Sequence, residues 1–267
     1  MADVFEGDRV ILLHGWPGLP SDYDEVRDAL LPATTIVPEL RGFGTAFDGY
    51  LPLGEATAEA HAHRILDTLE DSVVGGRTII AGYDIGSRIA QAALRLAPSR
   101  FDAAVLTPAY PGIGDRATAP SLAPTFWYQH FHREPIAAGL IDGKPGAVAT
   151  YLDYLWHAWS GATAPQRHPH REELIAAYSR PGAFAASIQW YLANRGYAGD
   201  PSPIKTPTVM LWPTEDPLFP TEWADRLDDH FTRATLQFVA GSGHLLPIEA
   251  PAALASAIRS FHVSRDS

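Results

Sequence analysis

The sequence predicts an α/β fold in which helices cover both faces of a mostly parallel β-sheet. In the first and last parts of the chain, short apolar runs typical of buried strands alternate with stretches of helical periodicity. The middle of the chain lacks such runs and carries aromatic-rich helical segments joined by Pro and Gly. We therefore expect a core of residues 1–109 and 203–267, with a helical cap of residues 110–202 inserted after the strand that ends near Thr107.

Each element of this prediction follows from a local pattern. β-Branched and aliphatic runs bounded by turn residues predict strands at 10–13, 34–37, 78–81, 102–107, 208–212 and 234–239. Apolar side chains three to four residues apart predict core helices at 53–74, 87–96, 221–230 and 251–261, and cap helices at 126–132, 148–160, 172–178 and 184–193. The alternation of strand and helix in the core favours parallel strands.

Composition narrows the function classes. The chain has 267 residues, of which 46% are hydrophobic and 19% charged, and this suits one large globular unit. Its net charge of −11 argues against a nucleic-acid or anionic-membrane partner. The absence of cysteine excludes disulfides, thiolate metal sites and cysteine nucleophiles. Because neither a signal-peptide pattern nor an apolar run of membrane-spanning length is present, we expect a cytoplasmic protein.

The predicted core is organised around Gly82-Tyr83-Asp84-Ile85-Gly86, which lies between a predicted strand and a predicted helix. This is the spacing of a nucleophile elbow, with Asp where serine hydrolases carry Ser. Such a sharp turn strains the central residue, and glycine neighbours leave room for it. The N-terminus of the following helix favours negative charge, so Asp84 is a candidate carboxylate nucleophile. Taken alone, Gly-x-Asp-x-Gly is also typical of an ordinary turn.

Two further polar residues follow predicted strands at the same edge of the sheet. Asp216 comes after the strand at 208–212, and His244 after the strand at 234–239. Ligands bind at the carboxyl ends of parallel strands, and the order nucleophile, acid, histidine is that of hydrolases built on this elbow. Taken singly, each residue has an alternative interpretation: Asp216 as a turn or N-cap residue, and His244 as a surface histidine. Together, their order and positions favour a catalytic triad with Asp84.

These motifs resemble the α/β-hydrolase superfamily, within the branch that uses an Asp nucleophile. The resemblance runs from about residue 10 to residue 261, and its other markers are His14-Gly15-Trp16-Pro17 and Arg41-Gly42-Phe43-Gly44. The His-Gly-x-Pro form is similar to epoxide hydrolases. Two predicted cap segments resemble those that carry the ring-opening tyrosines of that family, Trp127-Tyr128-Gln129-His130-Phe131 and Gln189-Trp190-Tyr191-Leu192-Ala193-Asn194. The resemblance implies this role for Tyr128 and Tyr191; the alternative is ordinary aromatic packing.

The resemblance implies hydrolysis of a small-molecule epoxide in two steps. The Asp84 carboxylate would attack an epoxide carbon and form an alkyl–enzyme ester, while the phenols of Tyr128 and Tyr191 hydrogen-bond the ring oxygen. His244, held by Asp216, would then activate the water that hydrolyses the ester.

The same chemistry requires backbone donors but no cofactor and no metal. The N–H groups of Trp16 and Ile85 are the candidate oxyanion donors for the hydrolytic step. The His-rich stretch 166–170 is interpreted as a solvated loop, because Pro169 breaks the helical spacing that two metal ligands would need.

Three other functions share some of these motifs with epoxide hydrolases. Haloalkane dehalogenases resemble this chain through Asp84 but usually carry a halide-binding Trp directly after it, where this chain has Ile85. Haloacetate dehalogenases have an elbow that resembles the pattern D-R-x-x-R. In this chain Arg88 matches the second arginine of that pattern, and Ile85 stands in place of the first. Arg88 then has a structural interpretation, pairing with an acid on the helix side. The third alternative, a non-enzymatic ligand-binding relative, does not explain why all three triad residues are present. Epoxide hydrolase therefore ranks first.

The predicted N-terminal part departs from the superfamily pattern. Relatives usually have a further pair of strands before the His-Gly-x-Pro strand, and only nine residues precede Val10. We expect that strand pair to be absent or shortened, which leaves the strand at 34–37 at an edge of the sheet. Because an exposed edge invites pairing, we expect cover by the N-terminal residues or by a second copy in a homodimer.

Overall fold

A computed structural model describes residues 7–70, 76–109, 113, 116, 119–195 and 202–263. Within these residues, six strands form one sheet in the order β2-β1-β3-β4-β5-β6, and every neighbouring pair is parallel. The strands are β1 (Arg9–Leu13), β2 (Thr34–Ile36), β3 (Thr78–Gly82), β4 (Ala103–Leu106), β5 (Thr208–Pro213) and β6 (Ala234–Val239). The predicted α/β fold is confirmed, and each predicted strand is present.

Helices cover both faces of this sheet. The helices in the described part of the chain before β5 are α1 (Asp24–Leu30), α2 (Ala58–Glu70), α3 (Ile85–Leu96), α4 (Trp127–Arg133), α5 (Pro135–Ile141), α6 (Pro145–Trp159), α7 (Arg171–Tyr178), α8 (Ala183–Ser187) and α9 (Gln189–Ala193), of which α4 to α9 do not cover a face of the sheet. After β5 they are α10 (Leu227–His230), α11 (Leu246–Glu249) and α12 (Pro251–Val263).

The sheet is buried on both faces because its inner strands are apolar except for a polar first residue in β1, β3 and β5. Successive side chains of a strand point to opposite faces. In β1, Ile11 and Leu13 therefore join the larger hydrophobic cluster, whereas Val10 and Leu12 join the cluster on the other face. All four are fully buried, and this continuous burial is typical of a parallel sheet between helical layers.

Several predicted helices differ in their boundaries. The helix predicted at 53–74 begins only at Ala58. There the Thr57 hydroxyl accepts the Ala60 N–H at 3.1 Å, as an N-cap does, and the side chain of Asn194, distant in sequence, accepts the Ala58 N–H at 3.0 Å. Residues 71–74 lie outside the described residues. The helix predicted at 221–230 is a 3-10 helix (Thr221–Arg226) followed by α10. The helix predicted at 184–193 divides at Ile188 into α8 and α9, where the Ser187 hydroxyl donates to the Phe184 carbonyl. Helices α1, α5 and α11 are not among the helices that the sequence predicted.

β2 forms one edge of the sheet, as expected. Among the described residues no strand precedes β1, and β2 is partly exposed. A homodimer that covers this edge stays a prediction. No helix in the described ranges combines the length and the apolar character that crossing a membrane requires.

Helices α4 to α9, hereafter the cap helices, lie between β4 and β5 in the chain. Tyr128 of α4 and Tyr191 of α9 line one cavity together with Asp84, which directly follows β3. The cap helices therefore lie over the carboxyl ends of the strands. The division into a core (1–109 and 203–267) and a cap (110–202) stays a prediction.

Candidate active site

Asp84 stands at a strained turn between β3 and α3. Its backbone has φ 51° and ψ −126°. Among the described residues, Asp84 is the one residue other than glycine that has a positive φ. Such a conformation costs about 1–3 kcal/mol and persists only where the surroundings enforce it. A Cβ at Gly82 would lie 2.6 Å from the backbone of Gly86, and a Cβ at Gly86 would lie 2.1 Å from the Leu13 carbonyl oxygen. The two glycines are therefore required for the elbow, as the sequence predicted.

The two carboxylate oxygens of Asp84 have different partners. Oδ1 accepts the Trp16 backbone N–H at 2.6 Å, and Oδ2 lies 3.1 Å from Nε2 of His244. Ile85, the other expected donor, opens α3, where N–H groups have no partner within the helix. In the described structure its N–H makes no hydrogen bond to the carboxylate, so the observed oxyanion contact is that of Trp16 alone.

Asp84, Asp216 and His244, hereafter the candidate triad, form a continuous hydrogen-bonded row. His244 Nδ1–H donates to Asp216 Oδ2 at 2.8 Å, and the side chains of His244 and Asp216 are only 2% and 1% exposed. Burial lowers the pKa of His244, but the charge and hydrogen bond of Asp216, followed by those of Asp84, outweigh burial and raise the pKa to about 10. With both carboxylates ionised, the imidazole therefore keeps its proton at neutral pH.

Glu249, which the sequence analysis did not single out, holds the loop that carries His244. Its buried carboxylate accepts the backbone N–H groups of Gly243 at 2.7 Å, Leu245 at 3.0 Å and Gly161 at 2.8 Å. Gly243 and Leu245 flank His244, and Gly161 follows the cap helix α6. One carboxylate therefore fixes the histidine loop against the cap; no local sequence pattern distinguishes this Glu from a surface residue.

The two tyrosines expected from the resemblance enter the same cavity as Asp84. The cavity has a volume of about 530 Å³, and both Tyr128 and Tyr191 line it. Both are buried, and their rings meet edge to face with centroids 5.8 Å apart. Burial first, and the Asp84 charge in addition, raise the pKa of both phenols well above the usual range. Both hydroxyls therefore stay protonated and can donate hydrogen bonds.

Arg88 lies in the cavity wall one helical turn after Asp84. Its guanidinium lies 5.6 Å from the centroid of the Trp190 ring and donates to the Asn194 carbonyl at 3.4 Å. These contacts join α3 to α9. They hold Arg88 in the cavity wall beside the two tyrosines. The sequence alone did not determine this position.

The interpretation of 166–170 as a solvated loop is wrong for His168. The His168 side chain is 6% exposed, because its ring packs against Trp156 with centroids 4.9 Å apart. Its Nε2 lies 3.6 Å from Oδ1 of the buried Asp22. Burial lowers the pKa of His168 to about 4 and raises the pKa of Asp22 to about 7. In the described ranges no group of three or more potential metal ligands occurs.

The parallel sheet with a strained elbow at Asp84 is that of the α/β-hydrolase fold, and the comparisons with known proteins agree. A model of the alpha/beta hydrolase family matches residues 10–257. The chain belongs to the alpha/beta hydrolase family.

Similarity to individual proteins is lower. AB hydrolase superfamily protein YfhM of Bacillus subtilis (strain 168) is 25% identical over 263 residues, which cover 92% of this chain and 87% of YfhM. Epoxide hydrolase 3 of Mus musculus is 29% identical over 83 residues, 30% of this chain and 23% of that protein. The solved structure of epoxide hydrolase CorEH without ligand superposes with a TM-score of 0.81 at 19% identity, over 96% of this chain and 92% of that chain. At this identity the likeness supports the fold.

Proposed function

We propose that this protein is an epoxide hydrolase that converts an epoxide to a vicinal diol through an alkyl–enzyme ester at Asp84. The observation that carries the proposal is one cavity that contains a carboxylate joined to a histidine and, beside it, two buried phenols. Ring opening needs this combination, because the carbon requires a nucleophile while the departing oxygen requires donors. The similarity to proteins named epoxide hydrolases supports it.

In the first step, Oδ2 of Asp84 attacks one epoxide carbon. We assign the attack to Oδ2 because Oδ1 is already held by the Trp16 N–H. As the C–O bond of the ring breaks, its electron pair moves to the ring oxygen, which accepts hydrogen bonds from Tyr128 and Tyr191 and takes a proton from one of these phenols. The protonated His244 then returns a proton to that phenol through solvent, which leaves the imidazole neutral for the second step. The phenols do not compete with the carboxylate for attack, because they remain protonated.

In the second step, a water molecule deprotonated by His244 attacks the ester carbonyl carbon. Esterification has by then neutralised Asp84 and removed one of the two charges that hold the imidazole proton. Asp216 still orients the ring and stabilises the imidazolium that forms. Negative charge develops on Oδ1, where the Trp16 N–H is in place to stabilise it. Collapse breaks the bond between the carbonyl carbon and Oδ2, and the departing oxygen takes the proton of the newly formed Asp84 carboxylic acid. The diol, in which Oδ2 is now the new hydroxyl oxygen, is released, the Asp84 carboxylate is restored, and His244 keeps the proton that it took from water.

A dehalogenase is the rival with the same nucleophile. A halide leaving group needs donors close to the attacked carbon, yet the residue that follows Asp84 and lines the cavity is Ile85. An aliphatic side chain cannot donate a hydrogen bond. The phenols suit an oxygen leaving group that must acquire a proton, which favours the epoxide.

The test is product analysis with a panel of neutral and anionic epoxides, and with chloroacetate and fluoroacetate. We expect diol from at least one epoxide, no halide release, and loss of diol formation in Asp84→Asn. A suitable control is Asp24→Asn, which removes a half-exposed carboxylate on α1 outside the cavity. Halide release with no diol from any epoxide would overturn the proposal.

A further inference from the structure

Three arginines line the active-site cavity although the protein is strongly acidic. They are Arg88, Arg133 and Arg195, and Asp84 is the carboxylate among the described lining residues. The chain as a whole carries a net charge of −11. Guanidinium groups beside a cavity attract anions to it.

The three arginines are grouped around one element, α9. Arg88 donates to the Asn194 carbonyl and Arg133 donates to the Tyr191 carbonyl at 3.2 Å, while Arg195 follows Asn194 in the chain. Basic groups at a helix C-terminus are favourable on their own account. That effect explains cations near α9, but it does not require them to line the cavity that contains the nucleophile.

Burial strengthens what these charges do to a ligand. Arg88 and Arg133 are partly buried and Arg195 is exposed. A guanidinium recognises a carboxylate through charge and paired N–H donors, and the attraction grows as water is excluded. A neutral epoxide gains nothing from this, whereas an anionic epoxide would otherwise be repelled by Asp84.

From this placement we infer that the substrate is an epoxide that carries a carboxylate, as glycidates do. The inference rests on the proposed epoxide hydrolysis. The carboxylate binds on the Arg88–Arg133–Arg195 side of the cavity, and the ring lies between Asp84 and the two phenols. Arg88 follows Asp84 by one helical turn and lines the same cavity, so the carboxylate and the ring of such a substrate occupy neighbouring parts of one cavity.

The first test compares a matched pair, trans-3-phenylglycidate and its neutral amide. We expect kcat/KM to be at least tenfold higher for the acid at low salt, with a smaller advantage at high salt. Arg133→Gln and Arg195→Gln should each reduce the acid-to-amide ratio severalfold, and Arg133→Lys should restore part of it. Arg27→Gln, on α1 and outside the cavity, is the control with the same charge change and should leave the ratio unaltered.

A second measurement separates this inference from the proposed function, because it needs no turnover. Binding of trans-cinnamate and cinnamamide is followed by tryptophan fluorescence in the wild type and in the same variants. Tighter binding of cinnamate that weakens in the cavity variants supports the anion site even if no epoxide is hydrolysed. Equal turnover of acid and amide, or equal binding of cinnamate and cinnamamide, would overturn the inference while leaving epoxide hydrolysis intact.

Discussion

Asp84→Asn tests how the candidate triad converts His244 from a protonated group into a base. In the wild type, the Asp216 and Asp84 carboxylates outweigh the effect of burial and raise the pKa of His244 to about 10. A general base must be unprotonated when it acts. Ester formation would remove the Asp84 charge, and an Asn at this position removes the same charge permanently with almost the same shape. We therefore expect the pKa of His244 to fall well below its wild-type value in Asp84→Asn.

The size of the effect follows from the short distance between the two groups. Oδ2 of Asp84 lies 3.1 Å from Nε2 of His244. Two unit charges about 4 Å apart, at an effective dielectric constant of about 20, interact with about 4 kcal/mol. Since about 1.4 kcal/mol changes an equilibrium tenfold, the acid dissociation constant of His244 should rise about a thousandfold. The imidazole would then lose its proton in the range where the enzyme needs a base.

The assay is a pH titration of imidazole ¹⁵N chemical shifts in wild type and Asp84→Asn, with His244→Gln used to assign the resonance. Asp24→Asn is the control, because its half-exposed carboxylate on α1 is screened by solvent. If the pKa of His244 is the same in wild type and in Asp84→Asn, the Asp84 charge does not hold the imidazole proton. The explanation of how His244 changes from a protonated group to a base would then be refuted.

Three other predictions follow from the same geometry. His244→Gln should form the ester and fail to hydrolyse it, so the intact mass of the protein should rise by the mass of the epoxide, with the adduct at Asp84. No mass gain with an epoxide that the wild type hydrolyses would contradict the two-step mechanism. Tyr191→Phe and Tyr128→Phe should each slow ester formation about 10²-fold in stopped-flow experiments, because each removes a donor to the ring oxygen; an unchanged rate would exclude that role. Burial raises the pKa of Asp22 to about 7, so protonated Asp22 favours the fold at low pH, and this stability, about 4 kcal/mol at most, is lost as pH rises through about 7. Burial lowers the pKa of His168 to about 4 and thus acts in the opposite direction, so the quantity to measure is the difference in unfolding free energy between wild type and Asp22→Asn. By urea unfolding, wild type should lose stability relative to Asp22→Asn between pH 5 and pH 8; a constant difference would contradict the assignment.

Matched controls keep these comparisons specific. Tyr154→Phe removes the hydroxyl of a tyrosine on α6 that is 53% exposed and should leave ester formation unchanged. Asp28→Asn on α1, an exposed carboxylate, should leave the pH dependence of unfolding as in the wild type.

The elements that the sequence predicts well are those encoded locally. The inner strands are apolar except for a polar first residue in β1, β3 and β5, and the elbow requires Gly82 and Gly86 because neighbouring backbone lies close to both. Asp216 and His244 follow strands of a parallel sheet, so topology alone brings them to the edge where Asp84 stands. Local pattern and topology were therefore enough to bring the candidate triad together.

The features that the sequence did not predict depend on contacts between distant parts of the chain. Asn194 accepts the Ala58 N–H at the start of α2, and Trp156 buries His168. Glu249 accepts the N–H groups of Gly243 and Leu245 from its own loop, but its third partner, the Gly161 N–H, lies 88 residues away in the chain. Arg133 and Arg195 line the cavity because α4 and the C-terminal end of α9 lie over Asp84. Neither hydrophobic periodicity nor motif spacing contains this information.

The most direct test of the alkyl–enzyme ester is a single-turnover reaction in ¹⁸O-labelled water with enzyme in excess over epoxide. If water attacks the carboxyl carbon of Asp84, the label enters Asp84 first, and the first diol released carries only unlabelled oxygen; peptide mass spectrometry then finds ¹⁸O at Asp84. Labelled diol in the first turnover, with Asp84 unlabelled, would show that water attacks the epoxide directly and would contradict the mechanism.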